Sequence, residues 1–219
     1  MNTNKAGVTT ARSRRHRRKR VVAAPGRLRP GRGRTIVFLG ISGSGKDTQV
    51  SLLLRHLRGS VSISTGDSFR RMARKKNLIG RFIAAILKEG DLVPYWGPAY
   101  VWLARFFERL KGYEDVILDG APRRIEEASM LDDFMHDVGR HLPIAIYLKL
   151  SPAVARQRLL KRGRADDNRR AILERFRFFR AYVQPVIGYY RRHERLITVN
   201  GGQSVAAVWR DIKRALGRL

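Results

Sequence analysis

The segment Thr35-Ile36-Val37-Phe38-Leu39 runs directly into Gly40-Ile41-Ser42-Gly43-Ser44-Gly45-Lys46, and no other stretch limits the possible folds as strongly. Five apolar, strand-forming residues without polar alternation read as a β-strand buried on both faces. The glycines that follow accept backbone angles closed to other residues, so successive N–H groups can converge on one point. A helical period then begins, carried by Val50, Leu53, Leu54 and Leu57. A buried strand, a glycine turn and a helix N-terminus form a cradle for phosphate, and the G-x-x-x-x-G-K spacing adds a lysine that reaches the β- and γ-phosphates. The residues expected on a bound ATP are Gly43, Ser44, Gly45, Lys46, Asp47 and Thr48, with Lys46 following the transferred group. Asp47 stands where a Ser or Thr ordinarily helps to hold Mg²⁺, and Thr48 follows one place later.

The remainder alternates short apolar runs with longer helical stretches. Val61 to Ser64, Val116-Ile117-Leu118, Ile144 to Leu150 and Leu196 to Val199 read as four further strands. The stretch from about 168 to 192 reads as one long helix interrupted at Pro185. Strands separated by helices require right-handed crossovers, which cover a parallel sheet on both faces. The expected class is α/β, a doubly wound, P-loop-type sheet of five parallel strands.

Length, charge and cysteine content narrow the class. The 219 residues suit one domain, and no apolar run is long enough to span a membrane. With no cysteine there is no disulfide, thiolate metal site or Cys nucleophile. Residues 1–34 hold 12 Lys or Arg and no acid, including Arg14-Arg15-His16-Arg17-Arg18-Lys19-Arg20, with Pro25-Gly26 and Pro30-Gly31 behind. So few apolar groups cannot offset the entropy of ordering, so 1–34 is expected to be a disordered arm. It is either a bare solvated tail or a weak contact for nucleic acid or another polyanion. It lacks the apolar core of a secretory signal. A cytoplasmic monomer with no membrane partner is the expectation. The body, 35–219, still carries 34 basic against 18 acidic side chains, mostly arginine, which grips phosphate with a planar fork.

Five blocks of the body, taken in order, resemble the adenylate kinases and related nucleoside monophosphate kinases. They are Gly45-Lys46 with Thr48-Gln49; Ser64-Thr65-Gly66-Asp67 with Arg70; Gly90-Asp91-Leu92-Val93-Pro94; Asp119-Gly120-Ala121-Pro122-Arg123; and Arg162-Gly163-Arg164-Ala165-Asp166-Asp167 with Arg175. The resemblance implies Mg²⁺-dependent transfer of the ATP γ-phosphoryl group to a nucleoside monophosphate, AMP first. It implies an acceptor flap over about 65–95 and a minimal lid over about 162–167. Arg70 and Arg123 would hold the acceptor phosphate, within a pocket that includes Thr65, Val93, Gly120 and Glu127. Arg162, Arg164 and Arg175 would clamp the transferring group. Arg158 and Gln203 would serve ATP, Arg158 by stacking on its base, and Asp119 would bind Mg²⁺ through water. Asp166 and Asp167 are expected both to orient the lid arginines and to cap the next helix.

The match departs from the family at the acceptor. Glu127 stands where the family has an adenine-reading Gln, and an ionised carboxylate accepts hydrogen bonds without donating. That leaves room for GMP, a pyrimidine monophosphate or another small molecule as acceptor. A third reading is a degenerate nucleotide binder associated with nucleic acid through its arm. Tyr95-Trp96-Gly97 replaces the usual acidic sequence and, with Phe69, Tyr100 and Trp102, makes this side aromatic; packing is the expected role of those rings. Only Gly163 separates Arg162 from Arg164, which leaves a lid with little to exclude water. ATP hydrolysis without acceptor is therefore expected at a readily measured rate, and a steady-state ATPase assay finding it far below transfer would remove the idea.

Overall fold

The computed structural model describes residues 33–89, 91, 93–163 and 167–217. Arm residues 1–32, and Gly90, Leu92, Arg164, Ala165 and Asp166 of the motifs above, lie outside the described residues. The expected class is met. The strands β1 (Thr35–Leu39), β2 (Val61–Ser64), β3 (Val116–Asp119), β4 (Ile144–Lys149) and β5 (Leu196–Asn200) form one parallel sheet in the order β2-β3-β1-β4-β5. Compared with the sequence reading, β4 stops one residue earlier and β5 runs one further. Strand ends are set by pairing, and Lys149 and Asn200 are the last pair of that ladder.

The central strand β1 is buried along its whole length and divides the core by alternation. Ile36 and Phe38 face one layer, in which Ile117, Ile146 and Leu148 meet α1 (Lys46–His56) and, later in the chain, α9 (Val205–Leu216). Val37 and Leu39 face the other. That second layer gathers α2 (Thr65–Ala73), α3 (Leu78–Glu89), α4 (Trp96–Arg109), α5 (Ile125–Asp137), α6 (Pro152–Arg162), α7 (Arg169–Phe178) and α8 (Gln184–Arg192). Phe69 and Trp102 are buried there, as expected of packing aromatics, whereas Tyr95, Trp96 and Tyr100 are exposed.

Three local findings amend the sequence reading. First, the helix expected to break at Pro185 does not break. A π-helical turn, Phe179–Val183, inserts between α7 and α8, and Pro185 sits in the first turn of α8. The widened turn accommodates a residue that has no N–H to give and whose ring would crowd a regular helix. Second, Gly33 and Arg34 belong to the body rather than the arm. The Gly33 carbonyl accepts from Arg140 at 3.0 Å, and Arg34 forms an ion pair with Asp115 at 2.8 Å. Third, the cap of α7 is Asn168, whose side chain accepts from the Ala171 N–H at 2.9 Å, so Asp167 does not take that role.

Far from the sheet's catalytic end, Asp132 of α5 pairs with Arg195 and accepts from the Tyr189 hydroxyl at 2.6 Å. Burial, together with the Asp132 carboxylate, pushes the Tyr189 phenol up to about 12. Removing one member leaves an uncompensated buried charge. Asp132→Ala is expected to lower unfolding free energy by about 3–5 kcal/mol in urea titrations.

Candidate active site

The register places the ends of β1, β2 and β3 side by side, with Phe38 and Ser64 both opposite Asp119. In an open parallel sheet, the carboxyl ends beside the strand where the order reverses form the natural ligand crevice. Here that strand is β1, with β3 on one flank and β4 on the other.

The glycine loop leaves β1 and enters α1 through Gly45, whose φ of 92° lies in the left-handed region. Gly43 has a φ of 85°, and a Cβ there would meet the Ala155 carbonyl at 2.8 Å, so α6 lies directly on the loop. No side chain caps α1, so its first N–H groups keep their partial positive charge for a ligand. The Ser44 hydroxyl is buried in this loop without a hydrogen-bond partner among the described residues. Lys46 folds back over the loop and donates to the carbonyls of Gly40, at 2.8 Å, and Ile41, at 3.3 Å. Burial lowers its pKa, while the Asp119 and Asp47 carboxylates act in the opposite direction. Asp47 and Thr48 lie exposed on the first turn of α1. Gln49, which the motif also carries, is buried and structural: its amide donates to the Val205 carbonyl at 3.1 Å and ties α1 to α9.

The second group forms where β3 ends. Thr65, at the start of α2, donates its hydroxyl to the Gly120 carbonyl at 2.9 Å. Gly120 has a φ of 83°, and a Cβ there would stand 2.6 Å from the Thr65 hydroxyl and 3.1 Å from the Arg123 guanidinium. Only a residue without a side chain lets these three groups meet. Glu127 is buried on the first turn of α5, and its Oε2 accepts from the Arg123 N–H at 2.9 Å. Burial pushes its carboxyl up to about 7, against the opposing pull of Arg123 and Arg124. Val93 is buried against Gly97 and Phe69.

Around these groups stand the arginines. Arg70 pairs with Asp67, and its hydrogen bond holds that carboxyl below the usual range. Arg162 grips Asp167 through two nitrogens, at 2.9 and 2.8 Å, and Arg175 reaches the same carboxylate at 3.0 Å. Burial lowers the pKa of Arg123, and the positive fields of Arg175 and Arg70 add to it. Arg162 likewise acts on Lys46. The structure therefore brings Lys46, Arg70, Arg123, Arg162 and Arg175 into one electrostatic neighbourhood. Arg158 and Gln203 gather instead at the loop after β5: Arg158 donates to the Gly201 carbonyl at 2.9 Å, and Gln203 to Asp211 at 2.9 Å.

Asp119 is half-buried, and burial raises its pKa although Lys46 and Arg123 oppose the shift. Asp47 and Asp67 act on it as neighbouring negative charges. Among the described residues no three acidic or histidine side chains converge closely enough to hold an ion unaided. Mg²⁺ seldom asks for that: it keeps waters and phosphate oxygens and takes one or two carboxylates. A donor set of hard oxygens led by Asp119 fits such an ion.

One supporting contact had no trace in the motifs. Tyr182, in the π turn, lies under the Arg124 guanidinium at 4.0 Å and braces the loop that carries Arg123. The only sequence sign was a proline within an otherwise helical run.

A phosphate loop and an arginine cluster at the carboxyl end of a five-stranded parallel sheet define a P-loop phosphotransferase. The sequence matches the adenylate kinase family over residues 38–195. The adenylate kinase of Leuconostoc mesenteroides subsp. mesenteroides is 33% identical over 190 residues, covering 85% of this chain and 98% of that protein. Adenylate kinase 1 of Nostoc sp. is 33% identical over 182 residues, covering 83% and 98%. The Thermus thermophilus enzyme is 33% identical over 189 residues, covering 84% and 98%. The chain belongs to the adenylate kinase family and is a nucleoside monophosphate kinase. No described helix is long and apolar enough to cross a membrane.

Asp167 is the shared anchor of Arg162 and Arg175. Asp167→Asn is expected to lower kcat by about 10²-fold, because both guanidinium groups lose a charged acceptor that fixes their position. A KM for ATP within a few-fold of the parent enzyme would locate that loss in the transfer step.

Proposed function

We propose that the chain catalyses reversible, Mg²⁺-dependent transfer of the γ-phosphoryl group of ATP to AMP. The observation that supports this reading best is the gathering of Lys46, Arg123, Arg162 and Arg175 within one another's fields. Phosphoryl transfer asks the protein to position two anions and to spread the charge of the moving group, and a preset cationic cleft does both. In this reading the loop from Gly43 to Thr48 holds the donor phosphates, and Arg158 and Gln203 meet the ATP base. Lys46 leaves the Gly40 and Ile41 carbonyls for a phosphate oxygen. Arg70 and Arg123 hold the acceptor phosphate, with Thr65, Val93 and Gly120 shaping its pocket. Arg162, Arg175 and, beyond the described residues, Arg164 stabilise the transferred group. Asp119 would bind Mg²⁺ through water, and the ion would supply charge neutralisation between the phosphates. No general base is required, because the acceptor is already an anion.

The acceptor base turns on Glu127. With its carboxyl near neutral pKa, a large share is protonated at and below pH about 7. A protonated carboxyl offers one acceptor oxygen and one O–H donor, the pair that adenine presents a need for at N6 and N1. Its charged or titratable neighbours are Arg123, Arg124, Glu126 and Tyr190. The folded pKa is raised, so the donor form is present at low pH and lost as pH rises through about 7. The KM for AMP is expected to rise about tenfold from about pH 6 to pH 8. Glu127→Gln should flatten that difference, and AMP kinetics of the two proteins across this range provide the check. If the parent protein instead prefers GMP, whose N1–H and N2–H₂ suit an ionised carboxylate, the acceptor assignment changes. Lys46→Ala should abolish transfer to every acceptor; activity retained in a coupled assay would overturn the role given to Lys46.

A further inference from the structure

Helices α3 and α4 each carry two apolar faces, and the fold covers only one of them. On α3, Gly80 and Ile83 are buried, whereas Leu78 is 72% and Phe82 41% exposed. On α4, Val101, Trp102 and Phe106 are buried. Trp96, at 43%, Tyr100, at 61%, and Phe107, at 80%, remain exposed. The last three stand at i, i+4 and i+11, with half-buried Leu103 at i+7, so they line one side of the helix. Phe82 stacks on Trp96 with ring centres 6.0 Å apart, and this contact joins the two stripes into one surface. None of these residues belongs to the cluster around Lys46 and Arg123.

A rim of cations accompanies the patch. Residues 71–88 contain six Lys or Arg and no Asp or Glu. Arg74, Lys75 and Lys76 are exposed immediately before Leu78, and Arg81 is exposed beside Phe82. A soluble surface seldom leaves large apolar side chains contiguous without a function for them. The charge selects among occupants. A second copy of a chain with net charge +28, or its own basic arm, would bring like charges to this rim. Nucleic acid would satisfy the rim and stack on the rings, yet it gives Leu78 and Ile79 nothing to bury in. An anionic lipid surface satisfies all three components: aliphatic groups enter the acyl boundary, Trp and Tyr sit at headgroup depth, and Lys and Arg meet phosphate.

We propose that the exposed face of α3 and α4 is a docking surface for anionic phospholipid membranes. It lies in the plane of the interface and crosses nothing, so it needs no helix long and apolar enough to span a bilayer. The sequence pattern hides it as well, since Tyr100 and Trp96 read as packing aromatics until the fold is known.

The test uses the full chain and sedimentation with vesicles of phosphatidylcholine containing phosphatidylserine, or of phosphatidylcholine alone. Assays at about 0.5 M salt screen the arm's electrostatic contribution. Binding to the anionic vesicles is expected to exceed binding to the neutral ones at low salt, and the part carried by the apolar face is expected to persist at about 0.5 M. The variant Leu78→Ser/Phe82→Ser/Trp96→Ser should lose at least tenfold in vesicle affinity while keeping its helical circular dichroism spectrum. Phe82→Leu/Trp96→Leu, which keeps the face apolar, should retain binding. Brominated acyl chains should quench Trp fluorescence, and Trp96→Phe should remove that quenching, since Trp102 is buried and Trp209 packs on the other layer of the core. Equal vesicle affinity for the triple-serine variant and the parent would overturn the proposal. So would a concentration-dependent dimer, or oligonucleotide binding, that this variant abolishes without a change in vesicle binding; the face would then belong to a second copy or to nucleic acid.

Discussion

Cations held close together repel one another, and much of the structure around the cleft serves to keep them there. Lys46 is restrained by the carbonyls of Gly40 and Ile41, Arg70 by Asp67, and Arg162 and Arg175 by the single carboxylate of Asp167. The Arg123 guanidinium lies between the fields of Asp119 and Glu127. Each restraint comes from an element that also belongs to the fold: the loop after β1, the first turn of α2, the entry to α7, the end of β3. Preset in this way, the arginines can meet a polyanionic transition state with little reorganisation, which is the main demand of phosphoryl transfer, while Lys46 has only to exchange two carbonyls for phosphate oxygen.

The sheet was legible because its signals are local. Thr35–Leu39 is buried throughout and flanked by glycine, and the periodicity of Val50 and Leu53 marks the crossover helix. The cleft was legible for a different reason. Gly45-Lys46, Thr65, Gly120 and Arg123 form short blocks in which spacing and residue type are dictated by backbone approach to an anion. What the sequence concealed depends on tertiary neighbours. Nothing local distinguishes Asp167, which binds arginines, from Asn168, which caps a helix; the choice follows from where α6 and α7 meet. Glu127 reads as an ordinary ionised carboxylate until its burial and its single backbone hydrogen bond are known. Likewise, Phe69 and Trp102 are core residues whereas Tyr100 and Trp96 are not, although the sequence presents all four alike as packing aromatics of the acceptor side.

Two apolar layers of unequal size sit on the sheet, and they divide its tasks. The layer built on α1 and α9 is closed and supports the phosphate loop from beneath, with Gln49 linking its two helices. The other layer contains the helices that bear the acceptor-side segments and the cleft arginines Arg70, Arg162 and Arg175, and it also includes the half-covered α3 and α4. Rigidity beneath the donor loop and greater exposure around the acceptor suit an enzyme that holds one nucleotide and must admit and release another.

The π turn at Phe179–Val183 carries a consequence for chain length rather than for composition. A π turn contains one residue more than the α-helical turn it replaces, and each residue rotates a helix by about 100°. The wider turn takes up that residue locally, and Ile172 and Phe176 before it stay on the core side together with Val186, Ile187 and Tyr190 behind it. What the turn aims is Tyr182, whose ring lies 4.0 Å from the Arg124 guanidinium. Deletion of a single residue along 179–183 would let a regular turn close and carry that ring away from Arg124, so the length of this segment, and not only its composition, sets the support beneath the loop that bears Arg123.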